Sequence, residues 1–311
     1  MPAAPPPPPR GFGAGLGYAI AAYVLWGLLP LYFVLLAPTG PWEVVALRIL
    51  LALGFCALLL TVTRAWRPFL ALARKRRVLG AMTLAGALIY VNWQVYVVAV
   101  LGGHVVEGSL GYFINPIVTV LLGVVFLRER LRPAQWVAVA VSALAILVIT
   151  IGYGSVPWIG LVLAFSFGIY GYIKKRVGDE VDAVSGLTLE TAVLAPVAIV
   201  VLVVVATAGG GIVTGTAGTP HLLLSLCAGA LTAIPLLLFA AGARRLPLVY
   251  IGLTQYFAPV IQFLIGVVVL HEAMPTERWI GFGLVWVALV VLTIDMLTNG
   301  RAQRRVVTEP V

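Results

Sequence analysis

The sequence predicts an all-α polytopic membrane protein whose ten transmembrane helices form two inverted-topology repeats of five. Three observations predict it. Of the 311 residues, 62% are hydrophobic and only 10% charged, with a mean hydropathy of +1.09, whereas soluble domains are about a quarter charged. The apolar residues fall in runs long enough to cross a hydrocarbon core of about 30 Å, which takes about 20 residues. The second half of the chain repeats the first at a shift of 143 residues.

Taken in order, the runs lie near 14–36, 43–62, 79–101, 108–127, 135–151, 157–173, 184–207, 221–242, 249–270 and 279–297, divided by charge clusters and Gly/Pro-rich turns. Residues 1–13, with the proline run ending at Arg10, read as a disordered cytoplasmic tail leading into an uncleaved first span. The two repeats occupy 14–151 and 157–297, and 298–311 form a second cytoplasmic tail.

Orientation follows from charge. With the N-terminus inside, all but two of the 20 lysines and arginines are cytoplasmic. They are Arg10; Arg64, Arg67, Arg74, Lys75, Arg76 and Arg77; Arg128, Arg130 and Arg132; Lys174, Lys175 and Arg176; Arg244 and Arg245; and Arg301, Arg304 and Arg305. Only Arg278 falls outside, and Arg48 lies within the second span. The positive-inside rule therefore puts both termini in the cytoplasm. These basic runs are topology signals and call for no nucleic acid. Cys56 and Cys227 lie inside apolar runs, where a thiol behaves as a small hydrophobe.

The repeat is legible residue by residue. At the shift that superposes Pro116 on Pro259, the residues Gly123, Val124, Val125, Leu127, Glu129, Trp136, Ala145 and Thr150 meet identical residues at Gly266, Val267, Val268, Leu270, Glu272, Trp279, Ala288 and Thr293. Gly17 falls on Gly160 and Ala21 on Ala164. The shift joins segments five spans apart, and an odd number makes the two halves insert in opposite senses. Such inverted repeats suit secondary transporters, because similar halves can exchange conformations about a central cavity.

The stretches AAYVLWGLLPLYF, NWQVYVVAV, EGSLGYFINPIVTVLLGVVFLRERL, LTLETAVLAPVA, TAIPLLLFAAGARRLPL and GLTQYFAPVIQFLIGVVVLHE resemble the drug/metabolite transporter superfamily, EamA family, and within it the RarD type. The likeness covers nearly the whole chain. It implies a ten-helix bacterial inner-membrane permease with two EamA repeats, of a group associated by name with chloramphenicol sensitivity and a superfamily that mostly exports metabolites or drugs. Gln94 departs from the apolar residue the resemblance leads us to expect near that position.

Polar side chains within hydrocarbon are costly unless paired or facing a cavity, so they form the candidate list. In the fourth span Tyr112, Asn115, Pro116 and Thr119 recur at three- and four-residue steps, hence on one face. Gln255, Pro259 and Gln262 are their equivalents in the ninth. The third span adds Asn92, Trp93 and Tyr96 at similar depth, and the first adds Tyr23 and Trp26. Each of these also reads as interhelical hydrogen-bonding or packing. Pro30, Pro116, Pro235 and Pro259 are kink positions, since proline frees a carbonyl one turn back.

Arg48 either snorkels outward, pairs with Glu43, or holds the carboxylate or phosphate of a substrate. Glu190 is the candidate coupling residue; near the cytoplasmic face among fixed positive charges it makes a poor proton carrier or else serves those basic loops. Transport driven by the substrate's own gradient is the consequence. Glu129 and Glu272, just after the fourth and ninth spans, are placed to accept from amides at a helix start. Glu107, His104 and Ser109 form an outer turn or gate.

The function expected is a secondary transporter of a small organic metabolite or drug. A lipid scramblase or pore-like protein is the alternative, and a membrane-embedded enzyme is disfavoured. His104, His221 and His271 are scattered, so no metal or other cofactor is expected, and no phosphate-binding loop implies an ATPase partner. The partners are a small-molecule substrate and the bilayer, with a homodimer left open.

Overall fold

The computed structural model describes residues 12–127, 131–177, 180–243, 245–246, 250 and 253–307. The tail segments 1–11 and 308–311, and with them Arg10, Arg128, Glu129, Arg130 and Arg244, lie outside the described residues.

Every regular element among the described residues is a helix, and no strand occurs among them. The elements are α1 (Phe12–Leu35), α2 (Pro41–Val62), α3 (Trp66–Ala73), α4 (Arg76–Leu101), α5 (Val105–Leu127), α6 (Pro133–Tyr153), α7 (Trp158–Val177), α8 (Ala183–Ala208), α9 (Thr219–Leu226), α10 (Ala228–Ala243), α11 (Phe257–Leu264) with a π-helical continuation Ile265–Val269, and α12 (Thr276–Val307). Several starts are written in the sequence. Pro41 and Pro133 open α2 and α6, where a missing N–H costs nothing, and the Asp182 carboxylate accepts the Val184 and Ser185 amides, both at 3.0 Å, to open α8.

Eight helices among the described residues are long and apolar enough to cross a membrane, with α9 and α10 counted as one run, Thr219–Gly242. Large hydrophobics such as Leu58, Ile151, Val200 and Val268 face outward, and helices apolar on their exposed side suit lipid, not water. The chain is a multi-pass membrane protein. Two further apolar helices fall short of that length among the described residues. The sixth and ninth runs yield shorter apolar stretches, Trp158–Lys174 and Phe257–Val269. In the ninth, Leu253 and Thr254 are helical, a turn follows at Gln255 and Tyr256, and α11 widens to π geometry from Ile265. The eighth run breaks at Cys227, which sits in a turn between α9 and α10. Helix α3 was not expected. It buries Phe69 and Leu72 against α4 and turns Arg67 outward, which is the amphipathic pattern of a surface-lying segment.

Helix packing follows a regular scheme. The pairs are α6 on α12, α2 on α8, α5 on α7, α1 on α11, α1 on α10, α4 on α7, α2 on α10, α4 on α8, and α5 on α11. Glycine sets the closest approach: a Cβ on Gly111 of α5 would stand 2.5 Å from the Gly160 carbonyl of α7.

Polar bonds tie the connections into two ends. At one, Lys75 pairs with Glu180 at 2.8 Å and Arg132 with Asp295. At the other, the Glu43 carboxylate accepts the Val213 and Thr214 amides at 3.0 and 2.7 Å, Glu107 accepts Ile159 N–H at 3.1 Å, and His221 Nε2 lies 2.9 Å from Thr39 Oγ1. Glu272 accepts the first two amides of α5, Val105 and Val106, at 2.6 and 2.9 Å. It therefore caps a helix as expected, but α5 and not the following α12.

Candidate functional site

The polar residues of α2, α4 and α5 meet near the end that carries Glu43 and Glu107. Arg48 lies two turns into α2 and is only 5% exposed. Its Nε donates to Thr232 Oγ1 of α10 at 2.9 Å, and its Cζ stands 4.2 Å from the centre of the Trp93 ring and 5.7 Å from that of Phe33. Neither of the partners expected for it is used: Glu43 spends its oxygens on loop amides, and burial rules out snorkelling. A guanidinium over an aromatic face gains electrostatic attraction that strengthens when water is excluded.

Asn92 of α4 is the hub beside it. Its Nδ2 donates to the Leu163 carbonyl at 3.1 Å and to Ser166 Oγ at 3.0 Å, both on α7, while its Oδ1 accepts from Tyr112 Oη of α5 at 3.0 Å. Asn115, one turn from Tyr112, donates to the Ala164 carbonyl at 3.1 Å. The rings of Phe33, Tyr96 and Tyr112 follow one another at centroid distances of 6.2 and 5.5 Å. Tyr96 Oη is buried without a hydrogen-bond partner. Arg48, Asn92, Trp93, Tyr96, Tyr112 and Asn115 are thus brought together.

The other sequence candidates stand apart from that cluster. Thr119 is exposed and donates to the Asn115 carbonyl of its own helix at 3.0 Å. Gln255 occupies the turn before α11, so it does not share a helical face with Gln262. Gln262 donates to the Trp26 carbonyl at 3.2 Å and leaves Oε1 without a partner. Trp26 packs with Tyr23 and Phe239 at 5.3 and 5.9 Å. Pro30, Pro116, Pro196 and Pro235 lie inside helices, and Pro259 in the first turn of α11. Glu190, 1% exposed, accepts from Lys174 Nζ at 2.7 Å and Tyr170 Oη at 3.3 Å. Lys174 and Tyr170 both lie on α7, so the bond ties α8 to that helix. On the same side a cleft of about 550 Å³ opens between the start of α8 and the end of α10, lined by Asp182, Val184, Leu237, Ala241 and Arg245.

Four contributors escaped the sequence: Tyr32, Phe33 and Thr232 around Arg48, and Ser166 beside Asn92. Thr232 and Ser166 carry a readable signal, a hydroxyl within an apolar run; Phe33 carries none. Gln94, noted only as a departure from the family pattern, is buried with neither amide atom partnered.

The described helices thus gather a buried, aromatic-flanked polar cluster near one end of an apolar bundle, in a multi-pass membrane protein. Residues 13–151 match the EamA-like transporter family. The chain is 49% identical over 290 residues to Protein RarD of Streptomyces exfoliatus, covering 93% of this chain and 91% of that one. It is 40% identical to the Uncharacterized transporter YojE of Bacillus subtilis, covering 93% and 97%, and 32% identical to the Chloramphenicol-sensitive protein RarD of Pseudomonas aeruginosa, covering 94% and 98%. A crystal structure with 18% identity superposes with a TM-score of 0.58 over 91% of this chain and 97% of that one, a likeness of fold alone. The chain belongs to the EamA-like transporter family, as a RarD-type protein.

Proposed function

We propose that the protein is a secondary transporter that moves a small, partly apolar organic molecule across the bacterial plasma membrane, outward, by alternating access. Ten spans in two inverted repeats, 14–151 and 157–297, form the machine, with both termini in the cytoplasm. The observation that carries this reading is the exchange of packing partners under the 143-residue shift. The shift takes α1 to α7, α2 to α8, α4 to α9–α10, α5 to α11 and α6 to α12. It then turns the pair α5–α7 into α11–α1, α4–α7 into α10–α1 and α4–α8 into α10–α2, all of which occur, and it maps α2–α8 and α6–α12 onto themselves. This exchange supports a two-fold axis in the membrane plane, and two halves so related can swap conformations to open one side or the other.

Further support comes from the ends. The connections alternate between two ends that hydrogen bonds hold together, and the basic residues gather at the end with Lys75 and Glu180. The cleft between α8 and α10 opens at that same end, while Arg48 at the other is sealed. An opening at that end, with Arg48 closed off at the other, supports a carrier that faces the cytoplasm.

Flux of amino acids, nucleosides and aromatic drugs into proteoliposomes, with and without a gradient of the same solute, tests it. Saturable, protein-dependent counterflow of at least one solute is expected. Lipid flip-flop without solute counterflow would replace the reading with a scramblase.

A further inference from the structure

Arg48 is a fixed positive charge, 5% exposed, in a protein interior surrounded by lipid, and among the described residues no carboxylate pairs with it. The titratable groups that face it are Tyr32, Tyr96 and Tyr112. A buried unpaired charge is costly, and one hydroxyl with two aromatic rings offsets only part of that cost. We infer that the counter-ion is the transported solute: Arg48 forms the binding site for a singly charged carboxylate on an aromatic or apolar body. The inference rests on the transporter reading above and names its substrate class.

The geometry selects the ligand's charge and shape. Nε is taken by Thr232 Oγ1 at 2.9 Å, which leaves the edge bearing the two terminal nitrogens, and the planar fork of that edge matches the two oxygens of a carboxylate. The Trp93 ring, its centre 4.2 Å from Cζ, closes one side of the guanidinium to a ligand. Tyr96 Oη, buried and without a partner, is a free hydroxyl donor in the same aromatic group. Tyr32 and Tyr112 are spent on the Leu224 carbonyl and on Asn92 Oδ1. A phosphate dianion would need a second cation, and Lys174 is already paired with Glu190 at 2.7 Å. The rings of Phe33, Trp93, Tyr96 and Tyr112 offer stacking to the remainder of the molecule.

The test uses the full-length protein in lipid nanodiscs, titrated with 3-phenylpropionate, its amide, 3-phenylpropylamine and 2-phenylethylphosphonate, read by thermal shift and tryptophan fluorescence. The carboxylate is expected to bind at least tenfold more tightly than the amide or the amine, and more tightly than the phosphonate. In Arg48→Met that preference disappears, and in Tyr96→Phe carboxylate affinity falls severalfold. Equal binding of amide and carboxylate, or tighter binding of the amine or phosphonate, overturns the inference. So does an Arg48→Met protein that keeps the preference. If Arg48→Met does not fold, the wild-type ligand series and Tyr96→Phe decide alone. Counterflow of the same four compounds separates the two claims. Carboxylate-selective binding with no solute flux sinks the transporter reading and keeps this one. Flux of the amine or amide without carboxylate binding does the reverse.

Discussion

Arg48 and Glu190 are both buried in apolar helices, yet they are satisfied in opposite ways, and substitutions should separate them. Glu190 is neutralised within the protein, by Lys174 at 2.7 Å, whereas Arg48 is met by a hydroxyl and two rings. Removing one member of a buried ion pair strands the other, at a cost of about 3–5 kcal/mol. Lys174→Met should therefore lower the unfolding temperature in detergent by many degrees. Lys75→Met, which breaks the exposed Lys75–Glu180 pair, should lower it by little, since surface pairs contribute about 0–1 kcal/mol. Equal effects of the two would show that Glu190 is not sealed from water. A second contrast concerns Asn92, which makes three interhelical bonds, and Tyr112, which makes one. Membrane hydrogen bonds average about 0.6 kcal/mol, so Asn92→Leu should cost about 2 kcal/mol and Tyr112→Phe about a third of that, measured by thermal unfolding.

At the scale of elements, the helix pairs are set by how closely their backbones approach. A Cβ on Gly229 of α10 would stand 2.5 Å from the Leu51 carbonyl of α2, and one on its repeat-mate Gly86 of α4 would stand 3.3 Å from the Glu190 carbonyl of α8. Gly229→Val should overpack the interface by about 1–3 kcal/mol and reduce folded yield, while Gly17→Val, with nothing within 4 Å of the added Cβ, should leave yield unchanged. The cap of α5 by Glu272 predicts a pH dependence. Burial pushes the Glu272 carboxyl above its ordinary value of 4.5, with the Val106 and Val105 amides, Arg278 and His104 pulling the other way. The net upward direction means the folded protein holds this proton more tightly than the unfolded chain. Stability from this group is then full below 4.5 and declines as pH rises through the raised folded value. Thermal scans from pH 4 upward should find that decline in the wild type and a flatter profile in Glu272→Gln.

Across the whole molecule, the two ends and the repeat make predictions about the membrane. In a background lacking Cys56 and Cys227, cysteines placed at the exposed positions Gly210 and Thr276 should react with an impermeant thiol reagent on intact cells, and one at Arg76 should not. Reversed labelling would invert the topology. Because Glu190 is held in an ion pair and Arg48 carries a fixed charge, solute flux should respond little to an imposed pH gradient of about two units, worth about 2.7 kcal/mol per proton. Uphill accumulation on that gradient, lost in Glu190→Gln, would instead make Glu190 the coupling residue.

The sequence by itself determined where the chain must be helical and apolar, and it carries an internal repeat at a shift of 143 residues. Spans must be apolar over a fixed length, charges and Gly/Pro turns must fall between them, and the repeat is written in identities such as Glu129 with Glu272 and Trp136 with Trp279. The candidate residues Arg48, Asn92, Tyr96 and Tyr112 were also legible, because a polar group in hydrocarbon stands out against its neighbours. Their partners were not. Thr232 lies 184 residues from Arg48, and the Asn92–Ser166 and Glu272–Val105 bonds join helices of opposite halves. Which side of a helix faces its neighbours is usually announced by an apolar stripe, but lipid is as apolar as a core, so α1, α2 and α8 are apolar all round and carry no such mark. Rotation of each helix, the broken ninth helix that moves Gln255 into a turn, and the meeting of Arg48 with Trp93 instead of Glu43 were decided only when the bundle packed, by close backbone contact and by where each buried polar atom could find a partner.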